Sequence, residues 1–253
     1  MRDVVEVAVL GPVSVRGAPL PFHRAAARDL VVYLAFHREG VRHDEWALAL
    51  WPDRPVSAST VYSTASDARR ALGRAPDGAP RLPCGSRLHL HPSVGTDADR
   101  FETLARAGQW IDAIRLVRGP LFDGLCRSDW AVLDGTLARV EAVVVHTVLQ
   151  GVEGLLGEGR AAEAEWIVRR GLVLSPYDER LYRALLRALA AQGNRMGLRA
   201  AMAQLLVVAR DAPAPPLRDW DGCGLETLHP QTTSLYRDLL LGQPAMGEAP
   251  ARL

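Results

Sequence analysis

Gly159 and Gly193 stand 34 residues apart, each at a break between two runs of helical periodicity. The form Gly159-Arg-Ala-Ala-Glu-Ala164 matches Gly108-Gln-Trp-Ile-Asp-Ala113, and Gly193-Asn-Arg-Met-Gly-Leu198 follows it more loosely. A glycine recurring at that distance predicts helix pairs stacked side by side. From about Asp97 onward the pattern is helical throughout. Before it, short β-branched runs alternate with helical ones. The chain therefore reads as two unlike halves.

The period is that of tetratricopeptide helix pairs, with too few copies for an open solenoid, so a closed bundle is expected. Within it, SPYDERLYRALLRALAAQG predicts a helix with Ser175 as N-cap, Pro176 at the first helical position and Gly193 as its stop. Residues 128–159 predict one long helix, or a pair bent near Gly151. DAPAPPLRDWDGCG (211–224) reads as a loop, HPQTTSLYRDLLLG as a last helix, and 242–253 as a flexible tail.

In the first half, VEVAVLG (5–11) and PVSVRG (12–17) predict a small antiparallel sheet split by Gly-Pro. Helices are predicted over 24–40, 43–52 and 56–73, stopped by Gly40, Pro52 and Gly73. PRLPCGSRLHLHPSV alternates Arg87, His89 and His91 against Leu88 and Leu90, predicting a hairpin strand with Gly85-Ser86 near its turn. Strands, three helices and a terminal hairpin make a winged helix-turn-helix. The fold class expected is mainly α: an N-terminal α+β winged helix followed by an all-α tetratricopeptide-like bundle. TDADRF joins them with no flexible spacer, so the helical part should pack on the winged helix, with Phe101 and Leu104 as anchors.

A net charge of +1 is not that of a strongly basic nucleic-acid binder. Residues 1–100 hold 13 Arg against 11 Asp plus Glu, too small an excess to argue from. All basic residues are Arg. Cys84, Cys126 and Cys223 are too far apart for a zinc site or disulfide framework and read as reduced, structural cysteines. No leader and no apolar run of membrane-spanning length is seen, which makes the cytoplasm the expected compartment and excludes a membrane partner.

The order of motifs resembles the Streptomyces antibiotic regulatory protein family, which joins an OmpR-type winged helix to a bacterial transcriptional activator domain. The residues that carry the likeness are VAVLGPVSV, ALWP, STVYSTASDARRALG, RLHL, TDADRFETLA, LVRGPLFDGL and SPYDERLYRALLRAL. The resemblance implies a winged-helix DNA-binding domain over 1–95 and an activator domain over 97–241. It also implies duplex DNA as partner, with the helical domain contacting RNA polymerase or a second copy in a homodimer. Similar segments end much larger regulators, so the chain also reads as one part of a longer protein. Two places depart from the family pattern: Asp67 sits mid-face in the third helix, and the wing CGSRLHL lacks an aromatic Gly-Tyr-Arg.

At about 100° per residue, Ser63, Asp67, Arg70 and Arg74 lie opposite the Ala65/Leu72 stripe, flanked by Ser59, Thr60 and Ser66. In the resemblance this is the recognition helix. Short polar side chains there suit close approach to base edges, Arg70 a guanine or phosphate, and Asp67 a cytosine amine. Arg87 on the wing strand and Arg81 before its turn suit phosphate or the minor groove. Arg24 and Arg28 read as solvated surface, and Trp46, Trp51, Trp130 and Trp166 as core or junction anchors.

No cofactor is expected: phosphate-binding glycine loops and G-x-S-x-G are missing, and no catalytic set stands out. His89-x-His91 has no further ligands at metal-binding spacing. An enzyme is not expected. The rival to a DNA-binding regulator is an interaction or effector-sensing module of a larger regulator, with weak or no DNA binding.

Overall fold

The computed structural model describes residues 4–210 and 224–242. The loop expected over 211–224 and the tail expected over 242–253 fall, but for Gly224 and Gly242, outside the described residues. The chain divides into two compact units, Met1–Val143 and Val144–Leu253.

In the first unit, β1 (Val5–Ala8) pairs antiparallel with β2 (Ser14–Arg16), as expected, and parallel with β5 (Val94–Thr96). Between β1 and β5 run α1 (Ala25–Phe36), β3 (Val41–Arg42), α2 (His43–Leu50), α3 (Ala58–Leu72) and β4 (Arg87–Leu88). The helices close over Leu30, Leu34, Trp46, Leu50, Ala68 and Leu72, all essentially without solvent exposure. Burial of such a set supplies most of the favourable folding energy.

The expected hairpin about Gly85-Ser86 does not form. Instead β4 pairs antiparallel with β3, Val41 opposite Leu88 and Arg42 opposite Arg87. Both apolar members of that pair are buried, and burying them decides the register. The tight turn lies earlier, at 75–78, beneath the Arg74–Pro80 bridge.

The first unit also takes in α4 (Asp97–Arg106), α5 (Trp110–Arg115) and α6 (Asp129–Leu133). Thr96 and Asp99 cap the start of α4 reciprocally, at 2.9 and 3.0 Å. Phe101 is buried and Leu104 partly so. Behind them the loop 117–127 is stitched to the turn after β1. Arg118 N–H donates to Leu10 O at 2.6 Å, Phe122 N–H to Val9 O at 2.9 Å, and Val13 N–H to Asp123 O at 2.8 Å. Gly11, at φ +138°, admits this approach; a Cβ there would lie 2.8 Å from Arg118 Cβ. Two segments that are far apart in sequence, VLGPV and VRGPLFDGL, thus form one seam.

Neither reading of 128–159 holds. The chain breaks at Asp134-Gly135, where Gly135 takes φ +77°, and α7 (Thr136–Gly157) runs unbroken through Gly151. By length and composition α7 is apolar enough to cross a membrane, contrary to the sequence reading. Its row Val144, Val148, Val152 and Leu155 is buried in protein. In the second unit, α9 (Glu179–Ala191) packs against α8 (Ala161–Leu174), α10 (Arg195–Arg210) and α11 (Pro230–Gly242). Gly171 allows α8 close to α7, since a Cβ would meet Val148 Cγ2 at 3.1 Å.

Ser175 is the C-cap of α8 rather than the N-cap of α9. Asp178 caps α9, accepting Arg180 N–H at 2.9 Å. Pro176 and Tyr177 occupy the turn between them, so helix chemistry begins three residues later than the Ser-Pro pair suggested. Trp46, Trp51 and Trp130 are buried, but Trp166 is 38% exposed. Cys84 and Cys126 are exposed, contrary to a structural role. Cys223 lies outside the described residues.

Candidate nucleic-acid interface

Ser57 starts α3 by accepting Thr60 N–H at 3.2 Å, and Gly73 ends it at φ +62°. Ala65, Ala68 and Leu72 turn inward. The opposite row leaves Ser59, Tyr62, Ser66 and Arg70 exposed, at successive steps of three and four residues. Thr60 and Ser63 flank it, half-buried. Ser63 Oγ donates to Thr60 O at 3.0 Å and accepts from Arg24 Nη1 at 3.1 Å. Arg24 therefore stands at the margin of this face, while Arg28 turns away to Gly124 O and Asp29.

Two expected contacts are corrected. Asp67 is buried, and its Oδ2 accepts the N–H groups of His23 and Arg24 at 3.0 and 2.9 Å. Its other oxygen pairs with Arg70. A carboxylate at the positive end of α1 meets donors the helix cannot satisfy itself. Asp67 is thus an anchor between α1 and α3 rather than a reader of bases. Arg81 is also buried, donating from Nη1 to Leu72 O at 3.0 Å. It holds the last carbonyl of α3 and does not reach for phosphate.

Arg87 is exposed, with Nη2 donating to Gly40 O at 2.6 Å. Arg74, also exposed, donates to Gly78 O at 2.6 Å. His89 is exposed, while His91 is held between Ser93 and Asp77. The exposed row thus carries one guanidinium, Arg70, whose charge is shared with Asp67. Tyr62, 65% exposed, was missed by the sequence reading. Its spacing from Ser59 and Ser66 was the available signal.

Three glycine turns share one hydrogen-bond scheme. At Gly108, Gly159 and Gly193 the glycine N–H reaches the carbonyl three residues back, and the next N–H the carbonyl five back from itself. All three glycines have φ near +70°, as this helix ending requires. The repeated boundary is structural as well as textual.

Residues 86–198 match the bacterial transcriptional activator domain. That match takes in all three glycine turns and supports a regulator of transcription of the activator type. No curated protein matches the chain. Among solved structures, Mycobacterium tuberculosis EmbR in complex with a low affinity phosphopeptide is similar in fold. The TM-score is 0.64 at 22% identity, covering 95% of this chain and 66% of that one. The architecture surrounding the activator-domain match is mainly α, a winged helix followed by a tetratricopeptide-like bundle.

Proposed function

We propose that this chain is a non-enzymatic transcriptional regulator that binds duplex DNA through α3. The carrying observation is the exposed row Ser59, Tyr62, Ser66 and Arg70 on a helix capped at both ends. In this reading α3 enters the major groove, and Ser59, Thr60, Ser63 and Ser66 approach base edges. Arg70 meets guanine or phosphate, and Arg87 beside β3 meets the backbone. Residues 1–95 form the DNA-binding part. Residues 97–241 form the activator part, which contacts RNA polymerase or a second copy, and the protein works in the cytoplasm.

One observation favours the rival reading of an interaction or effector-sensing module. Arg70, Arg81 and Arg87 each already hold a partner within the chain. A salt series on random and genomic duplex DNA separates the two. DNA binding gives log affinity falling with log salt by roughly 0.9 per phosphate neutralised. A flat or absent response leaves the interaction module.

A further inference from the structure

The first unit carries an apolar groove of about 350 Å³ on the side of α2 that faces α6. Tyr33 and Trp130 form its floor, with rings edge to face at 5.0 Å. Leu48 from α2, Leu133 from α6 and Pro52 form its lips. Leu48 is 67% and Leu133 82% exposed. Single exposed leucines are ordinary on a protein surface. Two of them facing across an aromatic floor form a continuous surface of the kind that takes a partner.

The carboxylates that line this groove outnumber its basic side chains. Glu45, Asp129 and Asp134 line it. Asp134 is shared with His37, and Glu45 with Arg42. Asp129 is exposed and has no ion pair among the described residues. The carboxyl ends of α1 and α2, at His37 and next to Pro52, border the same space and add partial negative charge. His37 is the one basic side chain that lines it.

We infer that this groove docks a cationic amphipathic helix from another protein. The partner presents two aliphatic side chains one turn apart to the aromatic floor, flanked by Arg or Lys facing Asp129 and Glu45. Helix-in-groove recognition needs these two elements, an apolar trough and a complementary rim. The surface is separate from the exposed row of α3 and does not depend on DNA binding.

The test uses the full chain and three labelled helical peptides of roughly 18 residues, long enough to hold helix in isolation. All carry Leu at i and i+4; the flanking positions are Arg in one, Gln in the second and Glu in the third. The Arg peptide is expected to bind at least about tenfold tighter than the Glu peptide. Leu133→Ser, Leu48→Ser and Asp129→Arg should each weaken it by about tenfold, with melting temperatures near wild type because all three sites are exposed. Asp129→Arg should also strengthen binding of the Glu peptide. Equal binding of Arg and Glu peptides, or binding unmoved by both leucine variants, overturns the inference. So does sedimentation showing a dimer that Leu133→Ser converts to monomer, because the groove is then covered by a second copy.

Discussion

Asp97 accepts the backbone N–H of Val9 at 2.7 Å, across 88 positions of sequence. The same carboxylate takes Leu10 N–H at 3.2 Å and Arg118 Nη2 at 3.0 Å. It is 1% exposed. The end of β1, the start of α4 and the loop after α5 therefore meet on one buried charge. Asp97→Ala leaves Arg118 without its carboxylate and two backbone donors without acceptors. A loss of about 3–5 kcal/mol is expected in urea unfolding. Asp97→Asn, which keeps an acceptor, should lose less. An unfolding midpoint unmoved by the alanine change would contradict this anchor.

Asp67 does for α1 what a capping side chain does, but from α3. Asp67→Ala should lower stability by about 1–2 kcal/mol, the range for a lost N-terminal cap. It also frees Arg70. If α3 binds DNA, Arg70→Ala should weaken non-specific binding and reduce the salt slope by about 1 without moving the melting temperature much. Calorimetry beside fluorescence titration separates the two roles. Equal melting temperatures for wild type and Asp67→Ala would remove the anchoring role.

Gly73 combines φ +62° and ψ −144° with close packing, for a Cβ would lie 2.9 Å from Pro19 Cγ. Gly73→Ala should cost about 1–3 kcal/mol through backbone strain. Gly78, also at positive φ but with open space around it, should cost less on the same substitution. Matched thermal melts of the two variants check the order.

Asp178 carries a pH signature. Burial pushes its carboxyl up, but the hydrogen bonds and charge of Arg180 outweigh burial and hold it below its ordinary 3.8. A carboxyl lowered in the folded state contributes stability above its unfolded value and loses that contribution as pH falls through the folded one. Asp178→Ala should therefore cost about 1 kcal/mol near neutral pH. The gap to wild type should begin to narrow below about pH 4. Chemical unfolding from pH 7 to pH 3 measures it; a gap constant with pH would contradict the charge's role.

Local chemistry was legible from the residues alone. Gly73 marks the end of α3, and alternation around Leu88 and Leu90 marks which residues turn inward. Glycines 34 residues apart mark equivalent helix endings, because caps and turns are decided by neighbours in the chain. The face of α3 was legible too, since a helical period assigns sides. The partner of a side chain on that face was not. Asp67 sits opposite the apolar stripe by angle, yet is buried, because the start of α1 arrives from 43 and 44 positions away to cover it. Arg81 is withdrawn from solvent by the last carbonyl of α3, and β4 by burial of Leu88 against Val41. Contacts between distant segments leave no period or spacing in the sequence. They arise only when the core brings those segments together, and the cost of leaving a buried charge or backbone group unpaired then selects the partner.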